Sequence, residues 1–361
     1  MKFSTIDTLP VLIKRNLACK MLGIVLMFGY SPFFINTSTQ AAEFGTIAFA
    51  STRIGNTDIY ILNKNDENLR RLTNDPARES EPTWSPDDRF LAYTYSLDGN
   101  SDIYVINTRT KERRQLTHNL VDDYFPAWSP NGKWIAFVSG IHEQNADIYR
   151  MDIDGTNLRR LTDRGKNGRP TWSPDSQWIA FVSYDRGERK GIYIMDVNGK
   201  RLRRLDDKAV QMINGVFHGE CAWSPDGKQI AFGLHIRDEK RMHLCTIDID
   251  GKNFRQLTQG GPILKPMKIL GFPNPAIYYP AWSPDSKWIA YVFSDDPQPF
   301  QFADIYVIEA IGNGREKSIL IGEIDMSSNS YPTWAPEGFF DVSLRNNQKA
   351  ILWSRLKQGA D

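Results

Sequence analysis

Histidines and carboxylates are the side chains in this sequence with the clearest capacity for metal chemistry. The five histidines are dispersed along the chain, and no metal-ligand spacing links them. Two segments, 152–155 and 248–251, each read Asp-Ile-Asp-Gly, which resembles the start of a calcium loop. Neither continues with the further ligands that a calcium loop needs. Because Asp and Gly also favour tight turns, we expect structural turns there, and neither a metal nor a cofactor.

The spacing of residues gives little support for nucleophilic or acid–base catalysis. The sequence contains no Gly-x-Ser-x-Gly pentapeptide, which forms the nucleophile turn of serine hydrolases. It shows no Ser/His/Asp motif and no pair of carboxylates that spacing alone identifies. We therefore predict no catalytic residue and no enzyme activity. The alternative that stays open is a lyase or hydrolase of sugar fragments, which would need acid–base or metal-bound residues that converge in the fold.

Recurrent arginine pairs suggest a basic surface. They occur at 70–71, 113–114, 159–160 and 203–204. We expect them on the outermost strand of a repeated sheet, where charged side chains prevent edge-to-edge pairing. The first 42 residues carry a charge of +3 and the whole chain +1, so the remainder carries −2. That balance argues against nucleic acid as a partner.

A tryptophan repeat organises the elements that must position any site. Six Trp-Ser/Ala-Pro triplets follow one another at spacings of 44, 44, 51, 59 and 52 residues. Their tryptophans are Trp84, Trp128, Trp172, Trp223, Trp282 and Trp334. A period in this range is typical of a circular or stacked array of one supersecondary unit.

One repeat, residues 126–162, predicts four antiparallel strands, which we label a to d. Strand a ends at Trp128, and Ser129-Pro130-Asn131-Gly132 has the signature of a type I turn. Strands b, 133–139, and c, 147–152, are rich in β-branched and aromatic residues, and strand d follows around 158–162. Sheets of this kind bury both faces when six of them stand radially, as in an all-β, six-bladed propeller.

Closure of the ring is also predicted. After the leader, the chain enters at Gly45–Phe49 as a b strand with no a strand before it. The missing a strand is Pro332–Ala335 near the other end, so the Trp334 strand should join the N-terminal strands to complete one blade. The propeller is therefore expected over 44–336, with the tail 337–361 packed on it or partly disordered.

The d–a and b–c loops share one face of a propeller, which we call the top face, and they are the long and irregular ones here, with d–a loops predicted at 206–220 and 259–279. Loops on a rigid scaffold commonly carry binding function. The residue just before each a strand, three before its tryptophan, should ring the channel at this face. We call these the rim residues, and they are Glu81, Phe125, Arg169, Glu220, Tyr279 and Tyr331. Tyr124, His218 and Tyr278 lie beside them. Mixed aromatic and charged groups suit a peptide or a small polar ligand, with a water-filled mouth as the alternative.

Two cysteines, Cys221 and Cys245, follow the leader. They fall on strands a and c of one blade, so strand b separates them by roughly 9–10 Å. A disulfide needs Cα atoms within about 7 Å. We therefore predict two buried thiols without a disulfide.

The N-terminal segment is typical of a secretory signal peptide. Basic residues precede a short apolar run, 21–30, and small residues lead to Ala41-Ala42. We expect cleavage after Ala41, leaving no stable membrane span, because the apolar run is shorter than a spanning helix and Pro32 interrupts it. An uncleaved anchor is the alternative. The product would be periplasmic or secreted.

Residues 280–291, Pro-Ala-Trp-Ser-Pro-Asp-Ser-Lys-Trp-Ile-Ala-Tyr, are followed by Asp304-Ile305-Tyr306. This pattern resembles the repeat of the TolB-like propeller family, P-x-W-S-P-D-G-K-x-I-A-F, then D-I-Y-x-M. The resemblance covers roughly 45 to 336. It implies a propeller, and for some members a periplasmic role in the Tol–Pal envelope system. The α/β domain that precedes the propeller in those members has no counterpart in this sequence.

These features together favour an exported, monomeric propeller. We predict that it binds a protein or peptide of the cell envelope through the top-face d–a and b–c loops, without catalysis. A purely structural module of a larger assembly is a further alternative.

Overall fold

The computed structural model describes residues 46–62, 69–140, 146–184, 191–205, 215–236, 239, 241–258, 276–294, 304–310 and 329–335. The predicted leader, 1–41, and the tail, 337–361, lie outside them. Within the described ranges all regular structure is β, and no helix has the length and apolar character needed to cross a membrane.

The strands fall into six groups along the chain. The first group is β1 (Ile47–Ile54), β2 (Asn56–Leu62) and β3 (Leu69–Arg71). The second is β4 (Arg78–Trp84), β5 (Phe90–Leu97), β6 (Asn100–Asn107) and β7 (Arg113–Gln115). The third is β8 (Asp123–Trp128), β9 (Trp134–Ser139), β10 (Asp147–Asp152) and β11 (Arg159–Arg160).

The second half of the chain repeats the plan. The fourth group is β12 (Lys166–Trp172), β13 (Trp178–Tyr184), β14 (Gly191–Asp196) and β15 (Arg203–Arg204). The fifth is β16 (Gly215–Trp223), β17 (Gln229–Ile236), β18 (Arg241–Asp248) and β19 (Arg255–Gln256). The last is β20 (Ala276–Trp282), β21 (Trp288–Ser294), β22 (Asp304–Glu309) and β23 (Asn329–Trp334).

These strands build six antiparallel sheets, as the repeat predicted. Strand β23 pairs with β1, so the order of the first sheet is β23-β1-β2-β3, and the C-terminal strand closes the ring. The sheets that begin with β4, β8, β12 and β16 have four strands, and the sheet β20-β21-β22 has three within the described residues. We number these blades 1 to 6 from the sheet that contains β1.

The a strands form the inner wall of the ring. Each of β4, β8, β12, β16, β20 and β23 contacts the a strands of the two neighbouring blades, including β20 with β23. Six apolar clusters fill the interfaces between neighbouring blades. The b strands supply their centre, with isoleucines and phenylalanines such as Ile135 and Phe137 almost completely buried. Each sheet therefore buries both faces against its neighbours.

Four a strands begin earlier than the repeat suggested, one of them β23, which starts at Asn329 instead of Pro332. The predicted loops 206–220 and 259–279 end in β16 and β20, which start at Gly215 and Ala276, and β8 starts at Asp123 instead of Pro126. The reason is that the neighbouring b strands are long enough to pair with them, as Gly215 does with Ile236.

The cysteine register is confirmed. Cys221 and Cys245 both pair with Phe232 of β17, one from each side, so that strand lies between them. Both cysteines are buried and form no disulfide. Burial raises the pKa of the Cys245 thiol, which makes it a poor nucleophile.

The arginine pairs form contacts within their own blade and with neighbouring blades. One arginine of a pair can reach the c–d turn of the next blade: Arg203, the first of its pair, donates to the Ile249 carbonyl, and Arg114, the second of its pair, donates to the Ile153 carbonyl, both at 2.7 Å. In other pairs the second arginine contacts its own blade, as Arg160 does with Asp147 at 2.5 Å. These contacts assign the pairs a structural role in addition to protecting the outer edge.

The Asp-x-Asp-Gly segments are turns. The Gly155 and Gly251 N–H groups donate to the Asp152 and Asp248 carbonyls at 2.9 Å. The Asp248 carboxylate accepts from the Asn253 side chain at 2.7 Å. No group of three or more His, Cys, Asp or Glu side chains suited to a metal occurs in the described part of the chain.

A glycine in the corresponding turn of blade 4 offers a test of blade packing. Gly199 has a φ of 77°, and a Cβ there would lie 2.5 Å from the Leu161 carbonyl of blade 3. Gly55 has a φ of 93° and open space around it. We expect Gly199→Ala to cost about 1–3 kcal/mol more free energy of unfolding than Gly55→Ala, because both strain the backbone but only one adds a clash. Urea unfolding of both variants checks this, and equal costs would contradict it.

Candidate functional site at the top of the channel

The rim residues occupy bulges inside the a strands. Glu81, Phe125, Arg169 and Tyr279 have φ values of 60°, 56°, 48° and 59°. The pairing of their strands with the b strands shifts register at these positions. A bulge interrupts the alternation of side chains along a strand. The rim residues thus lie within the strands, not before them as the sequence suggested, and the bulge re-aims their side chains.

A cation–π stack spans the channel at this level. The Arg169 guanidinium carbon lies 3.8 Å from the ring centre of Phe125 and 4.3 Å from that of Tyr279. The three residues come from blades 4, 3 and 6. A guanidinium between two aromatic faces gains electrostatic attraction as well as contact area. The stack therefore ties three blades together across the channel.

An ion pair completes the arrangement around Arg169. Its Nε donates to Glu220 Oε1 at 2.6 Å. The two side chains are 19% and 12% exposed, so water screens the pair only weakly. Glu220 belongs to blade 5, and Arg169 thus contacts three blades other than its own.

Glu81 supplies a second carboxylate to the channel. It is 8% exposed. Its Oε2 accepts from the Thr94 hydroxyl at 2.6 Å and from the Phe125 N–H at 2.8 Å. Burial raises the pKa of Glu81, while the charge of Arg169 and the Thr94 hydrogen bond lower it. This carboxyl is held in place by its partners but remains costly to ionise.

These side chains line one cavity of about 270 Å³ that follows the a strands. Prolines, threonines, alanines and tryptophan rings from the a strands make up the rest of the wall. Five of the rim residues meet there, namely Glu81, Phe125, Arg169, Glu220 and Tyr279. The structure therefore brings these five residues together at one cavity.

The other predicted positions divide into two groups. Tyr124 is not part of the cavity wall; its phenolic oxygen accepts from the Ser101 hydroxyl at 2.8 Å. The side chains of His218, Tyr278 and Tyr331 lie outside the described residues. The binding role of all these residues remains a prediction.

Histidines do not gather at the channel within the described residues. His243, which replaces the Asp that opens strand c in other blades, is fully buried. Its Nε2 lies 2.9 Å from Glu239 Oε2, and its Nδ1 lies 2.9 Å from Gln256 Nε2. His118 is exposed in its d–a loop. His142 lies outside the described range.

Lower in the channel, the tryptophans show a regularity that sequence reasoning missed. The indole N–H donates to a carbonyl of the preceding blade in four cases, at 2.9–3.0 Å where that residue is alanine and at 3.3 Å where it is threonine. By the same repeat, the acceptors for Trp128 and Trp223 would be Thr83 and Thr171. Neither indole N–H has a hydrogen-bond partner in the described structure.

Three large apolar side chains project from turns of the top face. Leu120 is 97% exposed in a d–a loop, and Ile54 and Leu97, at the ends of two b strands, are 59% and 42% exposed. The Asn100 side chain donates to the Asn119 carbonyl at 3.3 Å, which joins the hairpin of Leu97 to the loop of Leu120. The repeat pattern indicates that these three residues lie in or beside top-face loops. It does not indicate how exposed their side chains are.

Another buried carboxylate lies away from the channel, between blades 1 and 2. Glu79 is fully buried, and no partner with good hydrogen-bond geometry reaches either carboxylate oxygen in the described residues. Arg113 Nη1 lies 4.0 Å from Oε1. Burial raises the pKa of Glu79 to about 8; Thr73 and Arg113 lower it, and Asp75 and Asp58 raise it. Nothing in the sequence marked this residue, because its neighbours in the chain are polar.

Solved structures share this architecture. TolB from Acinetobacter baumannii aligns with 22% identity, covering 81% of this chain and 67% of that chain, with a TM-score of 0.64. A chain in the crystal structure of a nidogen/laminin complex aligns with 15% identity over 81% and 98%, with a TM-score of 0.58. An oligogalacturonate lyase in complex with manganese aligns with 15% identity over 73% and 71%, with a TM-score of 0.50. At these identities the likeness shows the fold alone.

Comparison of the sequence with known families identifies a family, in addition to the fold. No curated protein matches the chain. The family model of the TolB beta propeller domain matches residues 42–119, 90–167 and 125–267, which together span more than half of the sequence. The repeat, the closed ring of six blades and this match agree, and the chain belongs to the TolB beta propeller domain family.

Proposed function

We propose that this protein is an exported, non-catalytic scaffold that binds a protein or peptide through the top face of its propeller. The observation that carries the proposal is the exposure of Leu120, Ile54 and Leu97 on the face where the rim residues converge. Large exposed apolar side chains on one face of a protein can mark an interaction site. The partner would contact these side chains and the channel mouth.

The turns that bear these side chains are held in place. The Asn56 side chain, next to Ile54 and Gly55, donates to the Asp75 and Ala77 carbonyls at 2.5 and 2.7 Å. The bond from Asn100 to Asn119 fixes the other pair of turns. Surfaces that are ordered before binding lose less entropy when a partner docks. This supports recognition by a preformed face.

Export and family membership support a partner in the cell envelope. The leader-like N-terminal segment would carry the propeller out of the cytoplasm. A similar fold occurs in TolB and in a chain of the nidogen/laminin complex, and the latter supports binding of a protein partner by this fold. The charge of −2 beyond the first 42 residues does not favour nucleic acid.

A photo-crosslinking amino acid at position 120 tests the proposal. Leu158 is the matched control, because it is 55% exposed but lies beside the outer strand β11. We expect one defined crosslinked species from position 120 in intact cells and none from position 158. Leu120→Asp should weaken capture of that species at least tenfold, since a central apolar contact is worth about 1–3 kcal/mol. Equal crosslinking from both positions, or none from either, would contradict a top-face partner.

The rival function is a lyase or hydrolase of sugar fragments in the channel. The observation in its favour is the pair of carboxylates, Glu81 and Glu220, that line the same cavity. The similar fold of the oligogalacturonate lyase makes oligogalacturonate the first substrate to try. Release of new reducing ends by wild-type protein, and its loss in Glu81→Gln, would replace the binding proposal with this one.

A further inference from the structure

The channel contains a carboxylate oxygen that no side chain of the described protein engages. Both hydrogen bonds of Glu81 end on Oε2. Oε1 has none among the described residues, although Glu81 is only 8% exposed and lines the cavity. A carboxylate oxygen in a mostly buried side chain needs a partner, and a ligand or water in the cavity can supply one.

The charges in the cavity wall do not balance when Glu81 is ionised. Among the described residues that line it, the charged ones are Glu81, Glu220 and Arg169. Glu220 already pairs with Arg169 at 2.6 Å. Of these lining groups, one carboxylate exceeds the cations; the charge of Arg78, outside the lining, also acts on Glu81, and a cation inside the cavity would add complementary charge beside it.

Aromatic rings make the same region favourable to a cation. Phe125 and Tyr279 already hold a guanidinium between their faces, and Trp223, Trp282 and Trp334 contribute to the wall. The face of an aromatic ring attracts a cation, more strongly when water is excluded.

We propose that the channel cavity binds an alkylammonium group, with Glu81 as its counter-ion and the aromatic wall around its carbon chain. The cavity of about 270 Å³ holds several water-sized volumes of about 30 Å³ each, enough for a chain of four or five carbons. Two sources share this chemistry: the lysine side chain of a partner docked on the top face, or a free small amine. The first source rests on the proposed function; the second does not.

Calorimetry with n-butylammonium chloride tests the proposal, with n-butanol as the neutral probe of the same length. We expect saturable binding of the ammonium in the millimolar range, as suits so small a ligand, and none of the alcohol. Glu81→Gln should weaken binding at least tenfold, while Glu112→Gln, an exposed control, should leave it unchanged. Absence of binding to wild-type protein, or full binding by folded Glu81→Gln, overturns the proposal.

The pH dependence gives a test that needs no variant. Burial raises the pKa of Glu81, and the ionisable groups facing it are Arg169, Glu220 and Arg78. An ammonium ion favours the ionised carboxylate. Binding should therefore release protons and tighten as the pH rises above 4.5, the ordinary value for glutamate. An affinity independent of pH from 4.5 to 8 would contradict a role for Glu81.

The crosslink at position 120 distinguishes the two sources. If a lysine of the partner enters the channel, millimolar n-butylammonium should reduce that crosslink. If the ligand is a free amine, the amine should bind and leave the crosslink intact. A crosslink that persists in a protein that binds no amine would overturn this inference and leave the top-face partner standing.

Discussion

Replacement of Glu79 by glutamine should make the propeller more stable, and increasingly so as the pH rises. The wild-type carboxyl has a pKa of about 8 in the folded protein, against 4.5 when exposed. Below pH 4.5 both states hold the proton, and the group costs nothing extra. Between pH 4.5 and 8 only the unfolded state releases it, so the wild-type protein loses stability over this window.

The width of this pH interval sets how much stability Glu79→Gln gains over wild type. One proton changes the free energy of unfolding by about 1.4 kcal/mol per pH unit. Glutamine carries no charge, so the advantage of Glu79→Gln over wild type should grow to about 3–5 kcal/mol at pH 8. Other buried carboxyls, such as Asp58 and Asp123, also have a raised pKa, but they are common to both proteins and cancel in the comparison.

Urea unfolding at pH 5, 6.5 and 8 measures the difference. Glu112→Gln provides the matched control, because Glu112 is exposed on the outer c–d turn of the same blade. Its stability should parallel that of wild type at every pH. Parallel curves for wild type and Glu79→Gln would show instead that Glu79 is ionised in the folded protein, stabilised by Arg113 at 4.0 Å.

Removal of the Arg169 side chain should destabilise the ring strongly. Arg169→Ala deletes the partner of Glu220, the charge nearest Glu81 and the contact between Phe125 and Tyr279. Loss of one partner of a buried ion pair typically costs about 3–5 kcal/mol, because the other charge stays buried without compensation. We expect the free energy of unfolding to fall by about that amount. Without the guanidinium between them, the rings of Phe125 and Tyr279 should also become less fixed in position.

Two further variants separate the charge from the stack. Arg169→Lys keeps the charge but loses the planar guanidinium, so its cost should be intermediate. The double variant Arg169→Met with Glu220→Gln removes both charges and should be more stable than Arg169→Ala. Arg159→Ala, an exposed residue that bonds to the turn of the next blade, is the control and should cost about 1 kcal/mol or less. Equal losses of unfolding free energy for Arg169→Ala and Arg159→Ala would contradict the proposal that Arg169 stabilises the ring by joining blades across the channel.

The architecture can be predicted from the amino-acid sequence alone. Six tryptophan triplets predicted six sheets, the unmatched strand at Gly45–Phe49 predicted closure by the Trp334 strand, and the register of Cys221 and Cys245 predicted two thiols on either side of Phe232. These features follow from local rules. Every blade repeats the same turns and the same alternation of side chains, so equivalent positions in the sequence are equivalent in the ring.

The contacts that each equivalent position makes depend on its neighbours in the folded ring. Glu81, Phe125, Arg169, Glu220 and Tyr279 share one place in the repeat. Arg169 nevertheless stacks on the rings of Phe125 and Tyr279 and pairs with Glu220. Glu81 instead has one carboxylate oxygen without a hydrogen bond among the described residues. Those roles depend on partners in other blades, which lie 44 or more residues apart in the chain and meet only in the folded ring. The burial of Glu79 has the same origin, because residues of two blades enclose a side chain whose sequence neighbours are polar. Packing between blades, and not the pattern within one blade, sets the charge and the chemistry of the channel.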